Sequence, residues 1–194
     1  MSLSHRLQLT WLTLKARLLL TFGRQSQALT CFEAMNAIDP GNVYALASRA
    51  QVEDQLGRSE QAIALQRQLA DRDPNKAAHW FNLGFMHEKA GALEAALAAF
   101  REATRLSPTL DRAWYGQGLV LIRLQRFDEA VEALRKNTEL QPMSPYGWYQ
   151  LARVHVDRQD PDEAVKIIRH LQGFEPKVAA QLERETGLRA APSA

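Results

Sequence analysis

The chain has 194 residues and a single cysteine, Cys31, so an intramolecular disulfide is excluded. Apolar residues at 46% supply a core, charged residues at 24% supply a water-compatible surface, and a net charge of +2 gives no reason to expect nucleic acid as a partner. Val and Ile are scarce beside Ala, Leu, Gln, Glu and Arg, which favours helix over strand.

The opening is unlike the rest. Residues 1–32 hold Arg6, Lys15, Arg17 and Arg24 and no acid; Glu33 is the first carboxylate, which leaves the remainder at net −2. An acid-free, Leu-rich start fits three readings: the first helix of the fold, a helix lying on an anionic membrane through residues 1–24, or an organelle transit segment over residues 1–32. Lys15 and Arg17 interrupt the run from Leu7 to Phe22. That makes it too short and too charged to span a bilayer, and it lacks the unbroken apolar stretch of a secretory signal. The first-helix reading carries a cytoplasmic location. The alternatives are a peripheral place on the cytoplasmic face of a membrane, or an organelle.

From residue 9 onward the chain is periodic. Trp80, Trp114 and Trp148 are 34 residues apart, as are Pro40, Pro74, Pro108, Pro142 and Pro176, and Ala28, Ala62, Ala96, Ala130 and Ala164. Small residues recur in the same register at Ala16, Ala50, Gly84, Gly118 and Ala152, and turn glycines at Gly23, Gly57 and Gly91. The segment Trp80-x-x-Leu83-Gly84-x-x-His87, followed by Ala96-x-x-x-Phe100 and Pro108, resembles the tetratricopeptide-repeat signature, with His87 where the family usually has Tyr. The resemblance implies an all-α, right-handed α-solenoid of five helix-turn-helix TPR units with a C-terminal capping helix. The division is a lead-in over 1–8, repeats at 9–42, 43–76, 77–110, 111–144 and 145–178, and a capping helix and disordered tail over 179–194.

Physical chemistry accounts for the pattern. Small residues at the Gly84 and Ala96 positions let paired helices approach, while large ones at the Trp80 and Phe100 positions fill the space between neighbours. The closing proline cannot continue a helix and pushes the residue before it towards an extended conformation. Asp160-Pro161 reads as an N-cap and a first-turn proline. Lys177 to Thr186 reads as a helix stopped by Gly187, with a frayed tail over 190–194. Repeat two departs most: Arg49 and Glu53, four apart and so able to pair, stand where repeat three has Leu83 and His87, and Gln66 stands where it has Phe100. Lys15 holds the Leu83 position in repeat one, where its stem can lie along apolar surface.

Nothing in the sequence marks catalysis. There is no phosphate-binding glycine loop and no nucleophile elbow, and Asp128, Glu129 and Glu132 read as solvated helix surface. His5, His79, His87, His155 and His170 lack the spacing of a helical metal site, so no metal and no cofactor is expected; His87 and His155, two repeats apart in one register, suggest an internal stacking or hydrogen-bonding role. The resemblance implies partner binding in a concave groove lined by the first helix of each unit. In repeat two this maps to Tyr44, Ala47, Ser48, Gln51, Asp54 and Gln55. In the later repeats the expected partner-binding residues are Phe81, Asn82, Phe85, Arg112, Tyr115, Leu119, Tyr146, Tyr149, Gln150 and Arg153, an aromatic and aliphatic stripe suited to an apolar or aromatic protein segment. The chaperone-tail clamp of the family is matched by Asn82 and, with Arg for Lys, by Arg112, but Ala47, Gln51 and Gly116 occupy its remaining places. The expected function is therefore a protein–protein interaction scaffold or adaptor and not an enzyme, with a membrane-peripheral assembly factor, docked by the basic first helix, as the alternative.

Overall fold

The computed structural model describes residues 2–190; the tail expected beyond 190 lies outside them. Eleven α-helices follow one another among the described residues: α1 Leu3–Thr21, α2 Gln25–Ile38, α3 Val43–Gln55, α4 Ser59–Arg72, α5 Ala77–Lys89, α6 Leu93–Leu106, α7 Asp111–Arg123, α8 Phe127–Leu140, α9 Pro145–Asp157, α10 Pro161–Gln172 and α11 Pro176–Thr186. They form two compact units, the first ending at Ala90 and the second starting at Gly91. In the first, α1 packs on α2, α2 on α3, α3 on α4 and α4 on α5; in the second the same succession runs from α6 to α11, and α11 also reaches back to α9.

The periodic residues do what their types dictate. Ala16, Ala28, Ala50 and Ala62 in the first unit are fully buried, as are Ala96, Ala130, Ala152 and Ala164 in the second. At Gly118 any Cβ would stand 2.7 Å from Leu134, so only glycine permits this approach of α7 to α8. Asp39, Asp73, Ser107 and Gln141, each preceding a proline, have φ between −138° and −130° and end α2, α4, α6 and α8 as the pre-proline restriction requires. Pro176 behaves differently from the expectation. Its ring is the first residue of α11, where a missing N–H is harmless, and α10 has already stopped at Gln172.

The recurring tryptophans do more than fill space. Trp80, Trp114 and Trp148 each donate their indole N–H to the carbonyl of the proline six residues earlier, at 2.8, 2.9 and 2.8 Å. In these three repeats the bond ties the tryptophan to the proline six residues before it. The turns at Gly23, Gly57 and Gly91 have φ of 68°, 76° and 79°; Gln125 and Gln159 adopt the same left-handed conformation at the equivalent places, with φ of 59° and 60°.

Three local expectations are corrected. Arg49 does not turn to Glu53: it reaches Glu33 at 3.9 Å and Asn36 at 3.4 Å, while Glu53, buried, takes Arg58 at 3.1 Å. With Arg placed before Glu on the helix the direct pair has the weaker orientation, and better partners lie on adjacent segments. Asp160 occupies the N-cap of α10 but bonds no helix N–H; its carboxylate meets His155 Nδ1 at 3.2 Å. Ala190, placed in the frayed tail, is buried and accepts from Gln172 while donating to Glu183. Lys15 is exposed, and its ammonium sits 4.8 Å from the centre of the Trp11 ring.

Candidate functional site: two inner helix faces

The expected binding residues fall into two groups, one in each unit. In the first unit α3 and α5 flank a groove of about 440 Å³ lined by Ala47, Ser48, Gln51, Asp54 and Gln55 from α3, Gln66 from α4, and Asn82, Phe85 and Met86 from α5. Asn82 and Phe85 were expected there. Phe81, half-buried, lies on the same helix. The Phe85 ring is 51% exposed, although it sits on a helix whose other faces are packed. Lys89 of α5 pairs with both oxygens of the groove residue Asp54 at 2.8 and 2.9 Å. Gln66 forms the floor, 2% exposed, and donates from Nε2 to the His79 carbonyl at 3.0 Å. A glutamine in place of the family's aromatic residue therefore makes this floor polar.

In the second unit Arg112 and Tyr115 of α7, Asn137 of α8, Gln141 at the end of α8, and Tyr146 of α9 surround a smaller groove of about 340 Å³. Tyr146 is 71% exposed. Buried Asn137 is spent on structure, donating to the Asp111 carbonyl at 3.0 Å. Elsewhere in this unit Phe100 of α6 packs against Gly116 of α7, whose Cβ, if present, would lie 2.7 Å from the ring. Leu119 and Gln150 are half-buried along the same helices.

Tyr149 and Arg153, expected to meet a partner, contact α11. The Tyr149 hydroxyl donates to Glu185 at 2.5 Å, and Arg153 donates to Glu185 at 3.1 Å and to the Tyr149 oxygen at 3.3 Å. The Tyr149 hydrogen bond holds the Glu185 carboxyl below the usual range, and Glu185 in turn pushes the Tyr149 phenol up. Nothing local in the sequence announces this contact, since Glu185 is 36 residues from Tyr149. Gln66 did carry a signal, as the residue that breaks the repeat pattern.

Several other titratable groups pair with one another. Asp128 pairs with Arg158 at 2.8 Å, and Glu129 with Arg126 at 2.7 Å and Arg101 at 2.5 Å. Burial lowers the pKa of His79, His87 and His155; for His155 the nearby Asp160 works in the opposite direction. His155 thus has the hydrogen-bonding role expected of it, whereas both buried ring nitrogens of His87 are without a hydrogen-bond partner among the described residues. No group of three or more His, Cys, Asp or Glu residues placed to hold a metal is found among the described residues.

Comparison with solved structures places the fold. MamA is similar at a TM-score of 0.81 with 22% identity, covering 95% of this chain and 98% of that one. MamA from Desulfovibrio magneticus RS-1 gives 0.78 with 18% identity over 93% and 98%. YrrB, described as a TPR protein with an unusual peptide-binding site, gives 0.74 with 17% identity over 87% and 88%. No curated protein sequence gives a significant match. The tetratricopeptide-repeat family model matches residues 13–77, 48–111, 95–145 and 115–176, four overlapping stretches that together run through most of the chain. The chain belongs to the tetratricopeptide-repeat family, as an all-α repeat protein of the solenoid kind whose members serve as protein–protein interaction scaffolds.

Proposed function

We propose that the chain binds an extended segment of a partner protein on the inner faces of its first-of-pair helices, with an apolar or aromatic side chain of that segment anchored beside Phe85. The observation that carries the reading is the Phe85 ring, half exposed in a groove that Ala47 and Met86 line together with the polar groups of Ser48, Gln51, Gln55 and Asn82. An aromatic anchor amid side-chain amides suits a peptide, because the ring takes a side chain while amides satisfy its backbone. Tyr146, Arg112 and Tyr115 supply a second surface of the same chemistry in the other unit. The peptide-binding site described for YrrB shows that a chain of this fold can take a peptide.

The test is a peptide selected on the purified chain and titrated by fluorescence polarisation against Phe85→Ala and Tyr146→Ala. Loss of an anchor weakens binding by about 2 kcal/mol, roughly thirtyfold, while the thermal melt moves little because the exposed ring contributes little to the core. Unchanged affinity in both variants with unchanged melts would place binding elsewhere, and early melting would make the rings part of the core.

A further inference from the structure

The first helix carries a second apolar surface that the fold does not use. By helical geometry at about 3.6 residues per turn, Leu3, Leu7, Trp11, Leu14 and Leu18 fall on one stripe, extended by Phe22 at the C-cap. Each of these six side chains is between 58% and 75% exposed. The opposite face of α1 does the packing: Leu9 and Ala16 are buried, and Leu12, Leu19 and Leu20 lie partly buried against the core. A helix that is apolar on both sides has one side left for something outside its own fold.

The charges say what that is. Arg6 and Arg17 flank one edge of the stripe and Lys15 the other, Arg24 follows the helix, and all four are exposed. None of the four joins an ion pair among the described residues, and no carboxylate occurs before Glu33. A second copy seated on this stripe would bring two acid-free basic helices together, with like charges facing. A surface bearing many anions beside an apolar layer satisfies both features at once, since long basic side chains extend to phosphates while the apolar stripe enters the layer beneath. No helix among the described residues is long and apolar enough to cross a membrane, so contact of this kind lies in the plane of the surface.

We propose that α1 docks on the face of an anionic phospholipid bilayer, with Leu7, Trp11, Leu14 and Leu18 in the headgroup–acyl boundary and Arg6, Lys15 and Arg17 on lipid phosphates. The unit's own core stays intact in this arrangement, because the docking stripe and the packing face are opposite sides of one helix.

The full chain is sedimented with vesicles of phosphatidylcholine alone and of phosphatidylcholine with an equal part of phosphatidylglycerol. Partition onto the anionic vesicles exceeds that onto the neutral ones by at least about tenfold and falls as salt is raised. Leu7→Asp with Leu18→Asp abolishes it while the circular dichroism melt is kept. Arg6→Gln and Arg17→Gln, which leave the apolar stripe alone, each weaken it by about fivefold. Phe85→Ala leaves it unchanged, so this surface and the peptide groove are tested separately. Equal partition onto both vesicles overturns the proposal. So does a concentration-dependent dimer in light scattering that the Leu7→Asp and Leu18→Asp variant loses, which would assign the stripe to a second copy.

Discussion

Two repeat positions, those of Gln66 and Asn82 in the first unit and of Phe100 and Gly116 in the second, are filled by residues of different chemistry. Where the first unit has Gln66 beneath a groove edged by Asn82, the second has Phe100 against Gly116. The aromatic ring demands a residue without a side chain opposite it. The glutamine leaves room for Asn82 and lays a polar floor held by the His79 carbonyl. The backbone arrangement tolerates both solutions, because what must be kept is the volume shared by the pair and not the identity of either member. The polarity of the first unit's groove is thus set by a position that the repeat reserves for packing.

Exchanging the pair is the most severe test of that statement. Phe100→Gln should cost about 3 kcal/mol by removing a buried ring, and Gly116→Asn about 1–3 kcal/mol by overpacking against it. The double variant should cost less than the sum by about 1 kcal/mol or more, measured by chemical denaturation, because the first unit already accommodates glutamine and asparagine at these places. Simple additivity would mean that the two positions do not share one volume.

A smaller contrast lies in the histidines at one register. His155 has Asp160 as partner, whereas neither buried nitrogen of His87 has a hydrogen-bond partner among the described residues. Leucine stands at that position in the intervening repeat, as Leu121. His87→Leu should therefore stabilise by about 1 kcal/mol, and His155→Leu should destabilise or be neutral, as read from paired denaturation curves. Equal effects would show that the partner makes no difference.

Acidification probes both units together. Burial keeps His79, His87 and His155 below the ordinary imidazole value of about 6.5, so below that pH the unfolded chain takes up protons that the folded chain refuses. Their contribution to stability is intact above about pH 6.5 and is lost as pH falls beneath it. The melting temperature should drop between pH 7 and pH 5, and less so in His87→Leu. The smallest effect concerns the turns. Gln125→Gly or Gln159→Gly should each raise stability by about 0.5–1 kcal/mol, because the second unit holds a side-chain-bearing residue at a positive φ that the first unit gives to Gly23 and Gly57.

The helix pairs, their close-packing alanines and the ends of α2, α4, α6 and α8 were all legible from the 34-residue spacing. Each rests on a rule that acts within one unit or between neighbouring units: a small residue permits approach, and a proline refuses a helix. So was the identity of Asn82, Phe85, Arg112, Tyr115 and Tyr146 as groove residues, since the register fixes the face on which a helical side chain stands. Tertiary structure alone decided the rest. Arg49 and Glu53 found partners on adjacent segments, and Asp160 chose a histidine over the helix end. Glu185 arrived from α11 to take Tyr149 and Arg153, and the exposed stripe of α1 became visible only once its other face was seen to be packed. These outcomes depend on which groups distance and burial bring within reach of one another, and a spacing along the chain carries no record of that for residues that do not repeat.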